Sequence, residues 1–270
     1  MKPASGSSPM ETASVARRIN GERIVLAAWS RAILMQMAHP LIAAGVADHS
    51  AFRGGARVAA HRLFSTVRAM LGLTFGDETE RRRVVDHILQ IHRRVNGRLG
   101  AARGPFPAGT PYSAEDPALV LWVHATLLDS TLLAYQALVG ALDTQEADAY
   151  CEEAAETAIA LGARAAEVPR SQAALHRYMQ QVYDSAVLAV DVEARLIAAS
   201  VLSGPLAAVA LPAAQLNRLL TAGWLPAPLR DAYGLAWSPG RARRFDRALR
   251  LLKRVRHMTP VRLARWPAAR

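Results

Sequence analysis

From Asp116 to Leu138 the chain is apolar on so many successive positions that it restricts the fold more than any other stretch. Asp116 followed by Pro117 is a helix start. The carboxylate can accept one of the first unpaired N–H groups, and proline is suited to the first turn because it has no N–H to satisfy. From Ala118 the residues are apolar on nearly every face as far as Leu128, and the helical pattern runs to about Leu138. Such a helix is central and buried, with other elements packed round it.

The rest of the chain repeats the helical theme. Hydrophobic residues make up 51% of the sequence, and many of them are Ala and Leu, whereas aromatics are only 6%. This composition favours helix over strand. No segment alternates convincingly with period two, although a short extended piece is expected near Leu73–Phe75. Helices are predicted from Ile24 to about Ala38, where Pro40 interrupts, and from Val58 to about Leu71. Asp77, with Glu80 three residues later, opens another, which ends near Asn96-Gly97. Gly100 to Pro111 is read as a loop, as is Phe52 to Gly55. Asp143 with Glu146, Ser171, and Ser238-Pro239 mark three further starts. The expectation is an all-α protein with one globular helical domain over 15–270, preceded by a disordered Ser/Gly/Pro-rich tail over 1–14.

The single cysteine, Cys151, excludes an intrachain disulfide, and its acidic neighbours Asp148, Glu152 and Glu153 are expected to raise its pKa. The first residues lack the apolar core of a secretory signal, and the apolar run Ile24 to Val46 carries Arg31, Gln36, His39 and Pro40, which argues against a membrane span. A cytoplasmic protein is expected. Residues 241–270 hold eleven Lys/Arg and one acid, Asp246, so they carry ten of the eleven net positive charges. Nucleic acid is therefore not an expected partner of the fold. The terminal basic helix has Phe245, Ala248, Leu249, Leu252 and Val255 on one stripe. It could pack on the body, contact nucleic acid, or meet an anionic membrane surface.

Six of the eight histidines fall between His39 and His124, most of them in apolar helical text. A buried imidazole must have its ring nitrogens satisfied or bind something, so the cluster suggests a pocket for a metal or a metal-bearing cofactor. His92 shares the stripe of Val85, Ile88, Leu89 and Val95; it is either a ligand or a core histidine bonded to a carbonyl. His124 lies on the central helix with Thr126, Asp129 and Ser130 nearby, lining a pocket or satisfied within the core. Arg62 and Thr66 share a helix face, where they could hold a carboxylate such as a haem propionate, or sit at the surface. His39 and His49 flank a loop; His39 could equally serve a helix C-terminus. No HExxH, CxxC or paired ExxH is present.

These islands, in their order, resemble the haem-dependent oxygenase superfamily of latex-clearing protein (rubber oxygenase) and the mycophenolate-pathway oxygenase. The matching text includes Met35 to Pro40, Gly45 to Phe52, Arg62 with Thr66, Phe75-Gly76, His92 with Gly97, Tyr112 to Pro117, and Trp122 to Leu127. It continues through Gly140 to Tyr150, Val168-Pro169 and Leu225 to Trp237. The resemblance implies helix packing distantly like that of globins around haem b. It implies His92 as the iron ligand, with Arg62, Thr66 and His124, and His39 beside them, at the cofactor. It also implies O2 and a small apolar, isoprenoid-like or unsaturated substrate, oxidised or cleaved at a C=C bond. A non-catalytic haem-binding or sensing protein, or a basic helical membrane or nucleic-acid adaptor, is the alternative. The chain departs from the rubber-cleaving pattern in having Ser65 where a distal lysine stands. It also lacks a clean counterpart of the catalytic acid, for which Asp48 and His49 are the nearest candidates. Ser65, Asp48 and His49 are therefore the expected catalytic positions.

Overall fold

The computed structural model describes residues 14–49, 55–203 and 211–269, without the side chains of 55–63. The tail over 1–13 and the loop over Phe52 to Gly54 thus lie outside the described residues. The helices in chain order are α1 (Val15–Asn20), α2 (Trp29–Met37), α3 (Pro40–His49), α4 (Gly55–Phe75), α5 (Glu78–His92), α6 (Pro117–Leu138) and α7 (Thr144–Ala160). They are followed by α8 (Gln172–Asp184), α9 (Val192–Ser203), α10 (Leu211–Trp224), α11 (Ala227–Ala232), α12 (Pro239–Met258) and α13 (Val261–Ala264). Two short strands, β1 (Asn96–Arg98) and β2 (Pro111–Ser113), pair antiparallel, and the chain is an all-α domain apart from this ribbon.

Local chemistry starts several of these helices. Asp77 accepts from Glu80 N at 2.8 Å, Asp116 from Ala118 N at 2.9 Å and Ser171 from Ala174 N at 3.2 Å. Asp143 and Glu146 form a complete reciprocal capping box. Ser238 caps α12 through Arg241 N at 3.3 Å, with Pro239 in its first turn.

α6 is the axis of the fold. Leu119, Val120, Leu121, Trp122, Ala125, Leu128 and Leu132 are all buried. It packs against α2 and a 3-10 helix over Arg23–Ala28, and also against α7, α8 and α12. By length and composition it could cross a membrane, but 67% of its most apolar window is buried inside the fold, as befits a core helix. Fully burying one large aliphatic or aromatic side chain contributes about 1.5–3 kcal/mol, so this helix anchors the core. Arg31 of α2 is buried against it. Its guanidinium donates to Ser130 Oγ at 2.6 Å and to the Trp224 carbonyl at 2.9 Å, and pairs with Asp129 at 2.7 Å.

The structure departs from the sequence expectations at several places. The segment between His39 and His49, expected as a loop, is helix α3, and Gly55, expected in a loop, opens α4. Leu73–Phe75 closes α4 rather than forming a strand. The real ribbon joins Asn96–Arg98, expected to end a helix, to Pro111–Ser113 at the end of a loop. Three-residue strands are too short to show alternation, and their pairing is made across the intervening loop. The helix expected from Ile24 begins instead as 3-10 turns, which apolar periodicity does not separate from α turns.

The basic helix α12 packs its inner face on the body. Phe245 makes edge-on contacts with Trp224 and Trp237, each at 5.9 Å. Gly223 makes room for it, since a Cβ there would come within 2.3 Å of the Phe245 ring. Arg256 donates to the buried Glu22 carboxylate, its Nη2 at 2.6 Å from Oε1. Of the expected apolar stripe, Val255 is the exception, 50% exposed.

Candidate functional site

Two of the sequence islands are hydrogen-bonded to each other. Trp122 Nε1 donates to the Met35 carbonyl at 3.2 Å, and Gln36 Nε2 donates to Thr126 Oγ1 at 3.1 Å. Tyr233 adds a third tie, from its hydroxyl to the Leu34 carbonyl at 2.6 Å. The first two bonds lock α2 to α6 and the third ties α2 to the end of α11, so the positions of His39 and His124 relative to one another are set by the buried core.

His39 sits at the bend between α2 and α3. Its carbonyl accepts from Ile42 N and Ala43 N, so it starts α3. The end of α2 is served by Ala189 N, which donates to the Ala38 carbonyl at 2.8 Å. The His39 ring lies 5.5 Å from Phe106 and is buried, with Nδ1 lacking a partner. Burial lowers its pKa from 6.5 to about 4, opposed by Asp116. His124 lies about two turns into α6, and its Nε2 is likewise buried without a partner. Burial alone brings its pKa to about 4. His92 is the last residue of α5; its Nδ1 is buried and unpartnered, and burial lowers its pKa against the pull of Glu115. All three imidazoles are therefore neutral at pH 7, the form that can ligate a metal.

α5 carries no buried residue, although its sequence is clearly amphipathic. Val85, Ile88, Leu89 and His92 are half-buried, and α4 is its main packing partner. On α6, Val123, His124 and Leu127 form a similar half-buried apolar patch.

The expected catalytic positions separate into two groups. Asp48 and His49, both exposed at the end of α3, meet the ribbon that follows His92. Tyr112 donates to Asp48 Oδ2 at 2.5 Å, and His49 Nε2 lies 3.0 Å from the Asn96 carbonyl. Burial, then the bond to Asp48, pushes the Tyr112 phenol up to about 12. Opposite Tyr112 in the ribbon is Gly97, where a Cβ would come within 2.4 Å of the phenolic oxygen. Only glycine lets the ring fold across the strand to reach Asp48. Ser65 and Thr66 are exposed on α4, and the Arg62 side chain lies outside the described residues. Sequence reasoning did not single out Tyr112 or Arg103, which pairs with Asp191 at 3.2 Å and also with Glu193. Tyr112 was legible only as part of its motif, and its partner is sixty-four positions away.

Among the described residues, no three His, Cys, Asp or Glu side chains converge into a metal cage. A metal held mainly by a porphyrin asks for only one protein donor, so the isolated imidazoles suit that case better than a bare ion. Cys151 is buried, and burial, with Asp148 and Asp129 adding, raises its pKa to about 12. Burial thus outweighs the acidic neighbours expected to act on it, and the thiol is not available as a thiolate ligand.

The family model described as "ER-bound oxygenase mpaB/B'/Rubber oxygenase, catalytic domain" matches residues 16–254. The chain belongs to this oxygenase family. The match takes in the histidine-bearing elements, the ribbon and nearly all of α12. Uncharacterized proteins of Mycobacterium tuberculosis and Mycobacterium bovis are each 27% identical over 234 residues, covering 85% of this chain and 88% of the relative. No solved structure matches significantly.

The neutral histidines make the oxygenase pH-sensitive in a defined direction. His39 and His124 have folded pKa values near 4, below the unfolded value of 6.5. Between those values the unfolded chain binds more protons, so their contribution to stability is full above pH 6.5 and is lost as pH falls toward 4. The melting temperature is expected to drop steadily over that window. A variant with both residues changed to Gln should lose much of that dependence, whereas an unchanged slope would show that other groups cause it.

Proposed function

We propose that this oxygenase uses haem b, whose iron His92 would hold, and that it oxidises or cleaves a C=C bond in a small apolar, isoprenoid-like or unsaturated substrate. The observation that carries this reading is the set of buried ring nitrogens at His39, His92 and His124 that have no hydrogen-bond partner among the described residues of an oxygenase-family chain. Leaving a buried polar atom unpaired costs about 1–3 kcal/mol, and such groups mark places where something else binds. The half-buried apolar stripe on α5 supports a flat apolar group beside His92.

Haem, when bound, supplies an iron at which O2 is activated. The chain's own residues do the rest. His92 offers a neutral nitrogen donor because burial disfavours its protonation. Arg62 and Thr66 are one turn apart on α4, a spacing that suits a guanidinium and a hydroxyl on one propionate. His39 and His124 each present one donor and one acceptor without bringing charge into the site, which keeps it hospitable to an uncharged substrate. Asp48 and Tyr112 hold a proton between them at the ribbon edge, with His49 as the next residue. Ser65 puts a neutral hydroxyl where rubber-cleaving relatives carry a lysine, which favours a smaller substrate than rubber. A cytoplasmic setting follows the expectation from the sequence.

The test is an absorption spectrum of the pure protein, oxidised and reduced, with and without CO, followed by oxygen uptake with isoprenoid and unsaturated fatty-acyl compounds. A Soret band that shifts with CO, together with substrate-dependent uptake, is expected. Colourless, iron-free protein from haem-replete cells would overturn the cofactor assignment. Haem-loaded protein without uptake on any such substrate would overturn the catalytic one.

A further inference from the structure

Half of the exposed large apolar side chains in the described residues fall within thirteen positions: Leu251 (62% exposed), Val255 (50%), Met258 (83%), Val261 (60%) and Leu263 (58%). They lie within residues 241–270, which carry ten of the protein's eleven net positive charges. We infer that α12 and α13 form a docking surface for an anionic lipid membrane. This inference does not rest on the haem assignment.

At a hundred degrees per residue, α12 divides into two faces. Phe245, Ala248, Leu249 and Leu252 point into the body and pack against the core. Arg244, Arg247, Leu251, Arg254, Val255 and Met258 share a stripe on the outward side. Arg244, Arg247 and Arg254 make no ion pair among the described residues, and Asp246 lies on the opposite flank of the outer face. The inner packing and the pair between Arg256 and Glu22 hold the helix in place, so the stripe is preformed.

Basic residues alone would suit any polyanion. The aliphatic side chains between them decide the partner. In water they gain nothing from exposure, and a phosphodiester backbone offers no apolar surface to cover them. A lipid interface accepts both, with arginines at the headgroups and Leu, Val and Met at the acyl boundary. No aromatic side chain lies on the stripe to stack on bases, and Trp266 nearby is engaged by the Arg23 guanidinium at 4.9 Å. Beside Val255 the surface dips into a cavity bordered by Ile24, Thr259 and Ala264 together with Arg23 and Arg256, so apolar and basic groups stand side by side there too. A membrane-seated enzyme would draw an apolar substrate from the bilayer rather than from water.

The experiment is co-sedimentation of the full-length protein with two kinds of vesicle: pure phosphatidylcholine, and equal parts phosphatidylcholine and phosphatidylglycerol. Binding is expected only to the second and should weaken with salt. The triple variant Arg244→Gln, Arg247→Gln, Arg254→Gln should lower partitioning by about 100-fold. The triple variant Leu251→Ser, Val255→Ser, Met258→Ser keeps the charge and should still lose about tenfold or more. All six side chains lie on the outward face, so unchanged melting curves verify that the fold is intact. The inference is overturned if the protein ignores anionic vesicles. It is equally overturned if the serine variant binds like the original while a short DNA duplex competes for the surface, which would make the stripe a nucleic-acid site.

Discussion

If His92 holds haem as proposed, His92→Ala protein from haem-replete cells is expected to lose most of its Soret absorbance, while His39→Ala and His124→Ala keep theirs. The contrast follows from position. His92 ends α5, a helix without a single buried residue, so removing its ring takes away a donor and little packing. His124 and His39 lie where α2 and α6 are hydrogen-bonded together. Losing either should shift the bands and weaken cofactor affinity by about 10–100-fold, the size of effect seen for groups that orient a ligand rather than bind the metal. Free imidazole added to His92→Ala should restore the Soret absorbance of the original protein, because the cavity left by the side chain can take the missing ring. A normal spectrum in His92→Ala, with loss in His124→Ala instead, would move the iron ligand from α5 to α6 and reject the assignment made here.

Asp129→Ala is expected to destabilise the fold by about 3–5 kcal/mol, because it leaves the Arg31 guanidinium buried without its counter-charge. Arg31 is 4% exposed, and its other partners, Ser130 Oγ and the Trp224 carbonyl, are neutral. Replacing both residues with apolar ones, Arg31→Met with Asp129→Leu, should recover most of that loss. The penalty comes from the orphaned charge rather than from absence of the pair. Urea denaturation followed by circular dichroism measures both variants. A loss below about 1 kcal/mol in Asp129→Ala would mean that water reaches Arg31 and that the pair behaves as a surface one.

The contrast between what was legible and what was not follows from the range of the forces involved. Asp77, Asp116, Asp143, Ser171 and Ser238 could be recognised as helix starts because each caps an N–H two or three residues away. The buried character of α6 was legible because its apolar residues cover every face of one helix. The islands around His39, His92 and His124 were legible as motifs, but their mutual arrangement was not. Trp122 and Met35 are eighty-seven positions apart, and nothing local in either announces the other. The ribbon was missed for the same reason. Gly97 reads as a helix stop until Tyr112 is seen folded over it. Val255 continues the apolar stripe of α12 in the sequence, yet Phe245, Ala248, Leu249 and Leu252 pack on the body while Val255 stays half exposed.

The amino-acid sequence by itself thus determined the all-α class, the helix starts and the ordered motifs that mark the oxygenase family. Capping and amphipathicity act within a few residues and are written in local order. Only the tertiary structure decided which polar atoms end up buried without partners, which carboxylate faces Arg31 and Tyr112, and which side of α12 stays uncovered. Those outcomes depend on desolvation and on contacts between residues far apart in the chain, which exist only once the helices have packed.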